Sequence, residues 1–239
     1  MSNLIIDEGN TLCKFAIAED GKIVSQMSSA SICDDAAVQF IRKHDVDKII
    51  SSSTRSESVE LPQFLRSLPH LALTPQAELP IKIDYATPQT LGCDRIAAAV
   101  GARTIYPSSN VLIIDIGTAL TIDFLASDGV YCGGIISLGP EIRAKALNHF
   151  TGRLPLVGFD GEVAIQGKST AEAIRSGIVN GISFEIEGYI NRYRRMYDDL
   201  KIVITGGGAN MFFKDNAEVV HNPDLVLLGM NNILDNWKH

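Results

Sequence analysis

The sequence repeats itself. Residues 4–21, LIIDEGNTLCKFAIAEDG, align without a gap on residues 112–129, LIIDIGTALTIDFLASDG, at an offset of 108. Leu4, Ile5, Ile6, Asp7, Gly9, Leu12, Ala18, Asp20 and Gly21 all recur, nine of the 18 positions, where chance would give about one. Two unrelated apolar strands would share Ile and Val, but not Asp, Gly and a closing Asp-Gly at fixed places. A chain of 239 residues built this way is expected to fold as two similar α/β halves.

Each copy reads as a buried strand ending in Asp-x-Gly, a polar turn, a second strand, and then Asp-Gly, a strong hairpin signal, before a third strand such as residues 22–26. Gly9 and Gly117 let backbone N–H groups approach a ligand closely, while Thr11 and Thr118 offer hydroxyl donors. Asp7 and Asp115 can hold a cation or the water bound to one. This is phosphate-and-cation chemistry, presented twice.

Beyond the repeats the pattern alternates helix and strand. Helical periodicity covers 34–44, 57–68, 88–104 and 141–150, with a short strand at 48–51. Ser169 opens a long helix through a Ser169-x-x-Glu172 capping box. Along it Ile174, Ile178, Ile182, Ile186 and Ile190 recur every four residues as a core ridge, and Gly177 and Gly181 suggest a close neighbour such as another subunit. A buried strand at 202–205 runs into Gly206-Gly207-Gly208, and 224–237 reads as the closing helix. Tyr106-Pro107-Ser108-Ser109-Asn110 breaks the pattern, which puts the domain boundary between 107 and 108.

Composition narrows the function. Lys and Arg number 21 against 28 Asp and Glu, a net charge of −7, the wrong field for a phosphate-backbone binder, so nucleic acid is not an expected partner. The opening MSNLIIDEGN has no basic residue and turns acidic by Asp7, unlike a secretory leader. Asp115 and Asp123 interrupt the most apolar stretch, so no membrane span is expected. Cys13, Cys33, Cys93 and Cys132 form no CxxC pair and read as reduced thiols of a cytoplasmic protein. The stretch from Gly161 to Ser169 nearly spells a Walker phosphate loop, but has five residues between its glycines rather than four and no strand leading into it. The 206–208 glycines lack the third glycine of a dinucleotide fingerprint, Met211 standing in its place.

Two duplicated strand-Asp-x-Gly-turn-strand hairpins and a late strand-Gly-Gly turn resemble the actin, hexokinase and Hsp70 superfamily. That resemblance implies two ribonuclease H-like domains with mixed sheets, here 1–107 and 108–239, and a nucleotide in the cleft between them. Between the repeats, Tyr85, Pro88 and Leu91-Gly92-Cys93-Asp94-Arg95 followed by Gly101-Ala102 resemble the Y-x2-P-x2-LG-x-DR segment of type III pantothenate kinases. The likeness extends through Asp7-x-Gly9-Asn10-Thr11-x2-Lys14, Asp115-x-Gly117-Thr118-Ala119-x-Thr121-x-Asp123, Gly133-Gly134-x-Ile136, Leu147-x3-Thr151 to Leu154-Pro155, and Thr205-Gly206-Gly207. Five residues depart from the pattern: Glu8 replaces an apolar residue, Cys93 a small one, Leu138 a proline, Gly152 an alanine and Gly208 a frequent acidic residue.

The resemblance implies ATP-dependent phosphorylation of the primary hydroxyl of pantothenate, the first step of coenzyme A biosynthesis, in a cytoplasmic homodimer. It assigns ATP to the loop of Asp7, Glu8, Gly9, Asn10, Thr11, Leu12, Cys13 and Lys14 and to Thr118. Pantothenate falls to Tyr85, Gly92, Cys93, Asp94 and Arg95, with Thr170 reaching it from the partner subunit. By the same likeness Asp94 accepts the hydroxyl proton, and Asp115 holds a monovalent cation, potassium or ammonium. Mg²⁺ accompanies ATP, held largely by phosphates and water. Read from the residues alone, Asp94 is equally a helix cap, Lys14 a solvated strand lysine, and Arg95 a partner either of substrate or of Asp94. Two other functions fit the same fold: a non-catalytic accessory or regulatory protein, and a kinase for another small alcohol.

Overall fold

The computed structural model describes residues 1–9, 12–55, 59–212 and 218–238, in two compact units. The first comprises 1–108, 128–132 and 224–239, the second 109–127 and 133–223.

In the first unit, β1 (Ser2–Glu8), β2 (Cys13–Glu19) and β3 (Lys22–Ser29) form an antiparallel meander. The turn from β2 to β3 places Asp20 and Gly21 both at positive φ (48° and 77°), the backbone that an Asp-Gly hairpin turn favours. Helix α1 (Asp35–Ile41) leads to β4 (Lys48–Ser53), parallel to β1, and β5 (His70–Ala72) extends the sheet to the order β3-β2-β1-β4-β5. One face of β1 sends Leu4 and Ile6 into a core with Phe15, Ile17, Ala37, Ile41 and Leu65. The other face turns Asn3, Ile5 and Asp7 the opposite way. The short β6 (Lys82–Ile83) pairs with residues 130–131, and helix α2 (Cys93–Ile105) follows.

The second unit repeats this plan. β7 (Val111–Ile116), β8 (Ala119–Leu125) and β9 (Val130–Leu138) form the meander, helices α3 (Pro140–Phe150) and α4 (Thr170–Arg194) follow, and β10 (Lys201–Thr205) and β11 (Val219–His221) add parallel strands. The order β9-β8-β7-β10-β11 repeats that of the first sheet, with β6 as a sixth strand on the edge beyond β9. All five isoleucines of the α4 ridge are buried, packed with Leu112, Ile114, Leu120 and Phe124. The expected cap is present: Ser169 Oγ accepts the Glu172 N–H at 3.2 Å. The return bond lands one residue earlier than a standard box, Glu172 Oε2 accepting from Lys168 N at 2.7 Å. Ser169→Ala is expected to cost about 1 kcal/mol of stability, read from the urea midpoint at unchanged slope.

Four features depart from the sequence reading. Of the helix at 57–68, whose first two residues lie outside the described set, only a 3-10 turn at Gln63–Leu65 forms. Pro62 pushes Leu61 toward extended backbone and offers no N–H. The 88–104 helix is split: a 3-10 turn at Pro88–Thr90, extended Leu91 and Gly92, then α2, so Asp94 lies in a helix's first turn. The closing helix, α5 (Leu225–Asn236), belongs to the first unit. There Asn3 Nδ2 donates to Asn231 Oδ1 (2.8 Å) and Asp235 Oδ1 (2.7 Å), tying α5 to β1.

The fourth is a slip. Asp7 pairs across its hairpin with Lys14, whereas Asp115 pairs with Thr121, although the gapless alignment would match Lys14 with Ile122. The first connection closes with Gly9 N donating to Leu12 O (3.0 Å), the second one residue sooner, with Gly117 N donating to Ala119 O (2.9 Å). A lysine therefore stands across from the first aspartate and a threonine across from the second.

Candidate active site

In the first unit three charged side chains share one environment. Asp7 is the last inward residue of β1, Lys14 its cross-strand partner, and Asp94 the second residue of α2. The Asp7 carboxyl is pushed up to about 6, first by burial and further by the negative Asp94, while Lys14 pulls the other way. Asp94 Oδ1 accepts the Arg95 N–H at 2.8 Å, one of the N–H groups that a helix start leaves without an intrahelical partner. The carboxylate folds back over Gly92, where a Cβ would run into Asp94 Oδ1 and turn that carboxylate away.

Three further residues of the segment from Tyr85 to Arg95 are wholly or partly buried. Cys93 Sγ donates to Leu73 O at 3.2 Å, and burial, with Asp94 adding, raises its thiol to about 11, which leaves it a poor nucleophile at neutral pH. Arg95 is only 6% exposed, so its guanidinium is a buried group. Tyr85 is half-buried, its ring tilted against the buried Tyr131 at 6.3 Å between centroids.

Along the loop itself, Asn10 and Thr11 lie outside the described residues. Leu12 is exposed. Cys13 is fully buried in the core, its thiol raised to about 12 chiefly by burial, which leaves its backbone as the part facing the loop. Glu8 points to the face opposite Asp7, where Ser53 Oγ donates to Glu8 Oε2 at 2.6 Å.

In the second unit Asp115, the last residue but one of β7, lies against the glycine turn that follows β10. Gly206 has φ +91°, and a Cβ there would meet Asp115 Oδ1 and, at 2.6 Å, the Ile116 carbonyl oxygen. Gly208 N donates to that carbonyl at 2.8 Å, and Thr205, paired with Asp115, is buried. The exposed Thr118 accepts Gly139 N on its carbonyl at 3.1 Å. Sequence reading passed over Gly139, although Gly-Pro ahead of a helical pattern is a recognisable turn signal. Thr170 is exposed at the first residue of α4.

Residues 3–192 match the family model described as type III pantothenate kinase. The chain belongs to that family. It is 41% identical over 234 residues to the type III pantothenate kinase of Cytophaga hutchinsonii, covering 98% of each. Among solved structures it is similar to a Baf family protein from Campylobacter jejuni (TM-score 0.62, 21% identity, 97% of each chain). It also resembles the activator of 2-hydroxyisocaproyl-CoA dehydratase from Clostridium difficile, solved with bound ADPNP (TM-score 0.55, 14% identity, 100% and 99%). These two likenesses speak to the fold, and they bear out the actin- and hexokinase-like architecture.

For a type III pantothenate kinase the raised Asp7 is a stability cost carried at the site. Its folded pKa of about 6 exceeds the ordinary 3.8, so the folded chain holds the extra proton between those values and stability falls as pH rises through that window. Asp7→Asn is therefore expected to stabilise the chain by about 1–3 kcal/mol above pH ~6 and by little below pH ~4, while weakening ATP binding. Thermal unfolding across pH checks this; a pH-independent offset would contradict it.

Among the described residues no group of three His, Cys, Asp or Glu side chains is placed to hold a metal, and no helix is long and apolar enough to cross a membrane.

Proposed function

We infer that the chain transfers the γ-phosphoryl group of ATP to the primary hydroxyl of pantothenate, opening coenzyme A biosynthesis. The observation that carries this reading is the placement of Asp94. It stands in the first turn of a helix, close enough to Asp7 for its charge to move that carboxyl, in a chain of this family.

Phosphoryl transfer asks the protein for positioning, neutralisation of phosphate charge and a proton acceptor. Backbone N–H groups of the loop beginning at Gly9, with Lys14 and Thr118, bind ATP. Asp7 would hold the Mg²⁺ that accompanies the nucleotide, directly or through its bound water, and such a cation would lower the proton affinity of the carboxyl in the way Lys14 already does. Asp94 Oδ1 is engaged by the Arg95 N–H, and we assign Oδ2 as the atom that takes the hydroxyl proton. Tyr85 and the Gly92 to Arg95 turn orient pantothenate.

A monovalent cation, potassium or ammonium, suits Asp115. The carboxylate and the Ile116 carbonyl oxygen both border the place that a Cβ on Gly206 would fill, and oxygen donors of that kind suit a weakly hydrated cation. In a homodimer Thr170 reaches the pantothenate of the neighbouring protomer, and the setting is cytoplasmic. An accessory role would not need a carboxylate poised at the start of α2.

ADP release measured with pantothenate and with a panel of other small primary alcohols, in potassium and in sodium buffer, tests the assignment. Turnover with pantothenate alone, faster in potassium, is expected. Turnover with other alcohols but not pantothenate would overturn it.

A further inference from the structure

The two units treat the same position of their shared fold differently. By the duplication Glu8 corresponds to Ile116, and each is the residue from which its loop departs. Each carbonyl is held from the end of the neighbouring parallel strand: Glu8 O accepts Thr54 N (2.9 Å) and Thr54 Oγ1 (3.2 Å), and Ile116 O accepts Gly208 N (2.8 Å). In the second unit the strand opposite ends at Thr205 and runs directly into Gly206-Gly207-Gly208, leaving the turn bare of side chains. In the first unit Ser53, paired with Glu8 in register, donates its hydroxyl to Glu8 Oε2 at 2.6 Å and accepts Arg55 N at 3.1 Å.

We propose that the Glu8–Ser53 pair is a clasp that positions the root of the ATP phosphate loop and keeps the extra carboxylate turned from the triphosphate. The proposal rests on the ATP-site reading above. Glu8 is a positioning residue: its side chain lies on the sheet face opposite Asp7, and its hydrogen bond is to a strand neighbour. A hydrogen bond to a charged acceptor fixes direction as well as distance. Without it Glu8 is released at the place where the chain enters the Gly9 turn, and its charge is free to swing toward the phosphates it would repel. The second unit needs no such device, because an isoleucine occupies the corresponding place.

The test is a double-mutant cycle on MgATP affinity, measured by calorimetry on the full chain, alongside kcat and both KM values. Ser53→Ala is expected to weaken MgATP binding roughly fivefold to tenfold with the KM for pantothenate unchanged. Ser53→Thr, which keeps the hydroxyl, stays within about twofold of wild type. Glu8→Ala loses the positioning bond but also the repelling charge, so it weakens MgATP binding less than Ser53→Ala does, and adding Ser53→Ala to it costs nothing further. Equal MgATP affinity in Ser53→Ala and wild type, equal effects of the alanine and threonine variants, additive effects of the two alanines, or a parallel rise in both KM values would each overturn the clasp. Absence of pantothenate turnover in wild type would instead count against the functional reading, and the calorimetric arm would still decide the clasp.

Discussion

Asp94→Asn should lower kcat by about 10²–10⁴-fold, the range associated with loss of a positioned general base, while the KM for ATP stays close to wild type. The substitution is close to isosteric. Its amide oxygen can still accept the Arg95 N–H that Asp94 Oδ1 accepts at 2.8 Å, so the start of α2 keeps its shape. What disappears is a proton acceptor and one negative charge. The lost charge costs about 0.3–1 kcal/mol of helix-terminus stabilisation, offset in part because Asp94 no longer pushes the Asp7 carboxyl upward. Thermal stability should therefore change little while turnover collapses. The collapse in turnover distinguishes a base from a helix cap, since asparagine keeps the cap and, were capping the whole role of Asp94, would leave kcat unchanged as well. A variant that keeps kcat within a few-fold of wild type would assign the carboxylate to the cap.

The second large effect is expected at Gly206. Alanine there must adopt φ +91° and place its Cβ against Asp115 Oδ1 and the Ile116 carbonyl. The left-handed backbone costs about 1–2 kcal/mol, and the overlap a further 1–3 or so. Relief comes only by moving Asp115 or the backbone of its loop. Gly206→Ala should therefore lose about 2–5 kcal/mol of stability, and the folded fraction should bind ATP poorly. Gly207→Ala is the control: nothing lies within 4 Å of its Cβ position and its φ is not positive, so its stability should match wild type within about 0.5 kcal/mol. Denaturant unfolding of both variants checks the contrast, which fails if the two glycines respond alike.

Much of this was legible in the chain. The duplicated Leu-Ile-Ile-Asp-x-Gly gave two strands with an acid and a glycine at each end, because burial imposes the apolar run and the tight turn imposes the rest. Matching sheet orders follow from that repeat. The hairpin slip was not legible: both loops align without a gap, and whether Gly117 closes on Ala119 or one residue later depends on turn geometry. Nor does the apolar face of α5 say which unit it will cover; that is set by its close packing on α2, where Gly229 lies against Ala97 and Gly101 against Leu225, and by Asn3 bonding to Asn231 and Asp235. The partner of Glu8 was hidden for the same reason, since Ser53 becomes its neighbour only through the parallel pairing of β1 with β4. At 57–68 the helical periodicity runs across Leu61-Pro62, and the proline prevails.

The most direct test of the whole account is phosphorus NMR of the product formed by the purified chain from MgATP and pantothenate in potassium buffer. The account predicts one phosphomonoester resonance, coupled to the protons of the primary alcohol carbon, growing in step with ADP. ADP accompanied only by inorganic phosphate, or bound ATP with no turnover at all, would contradict it.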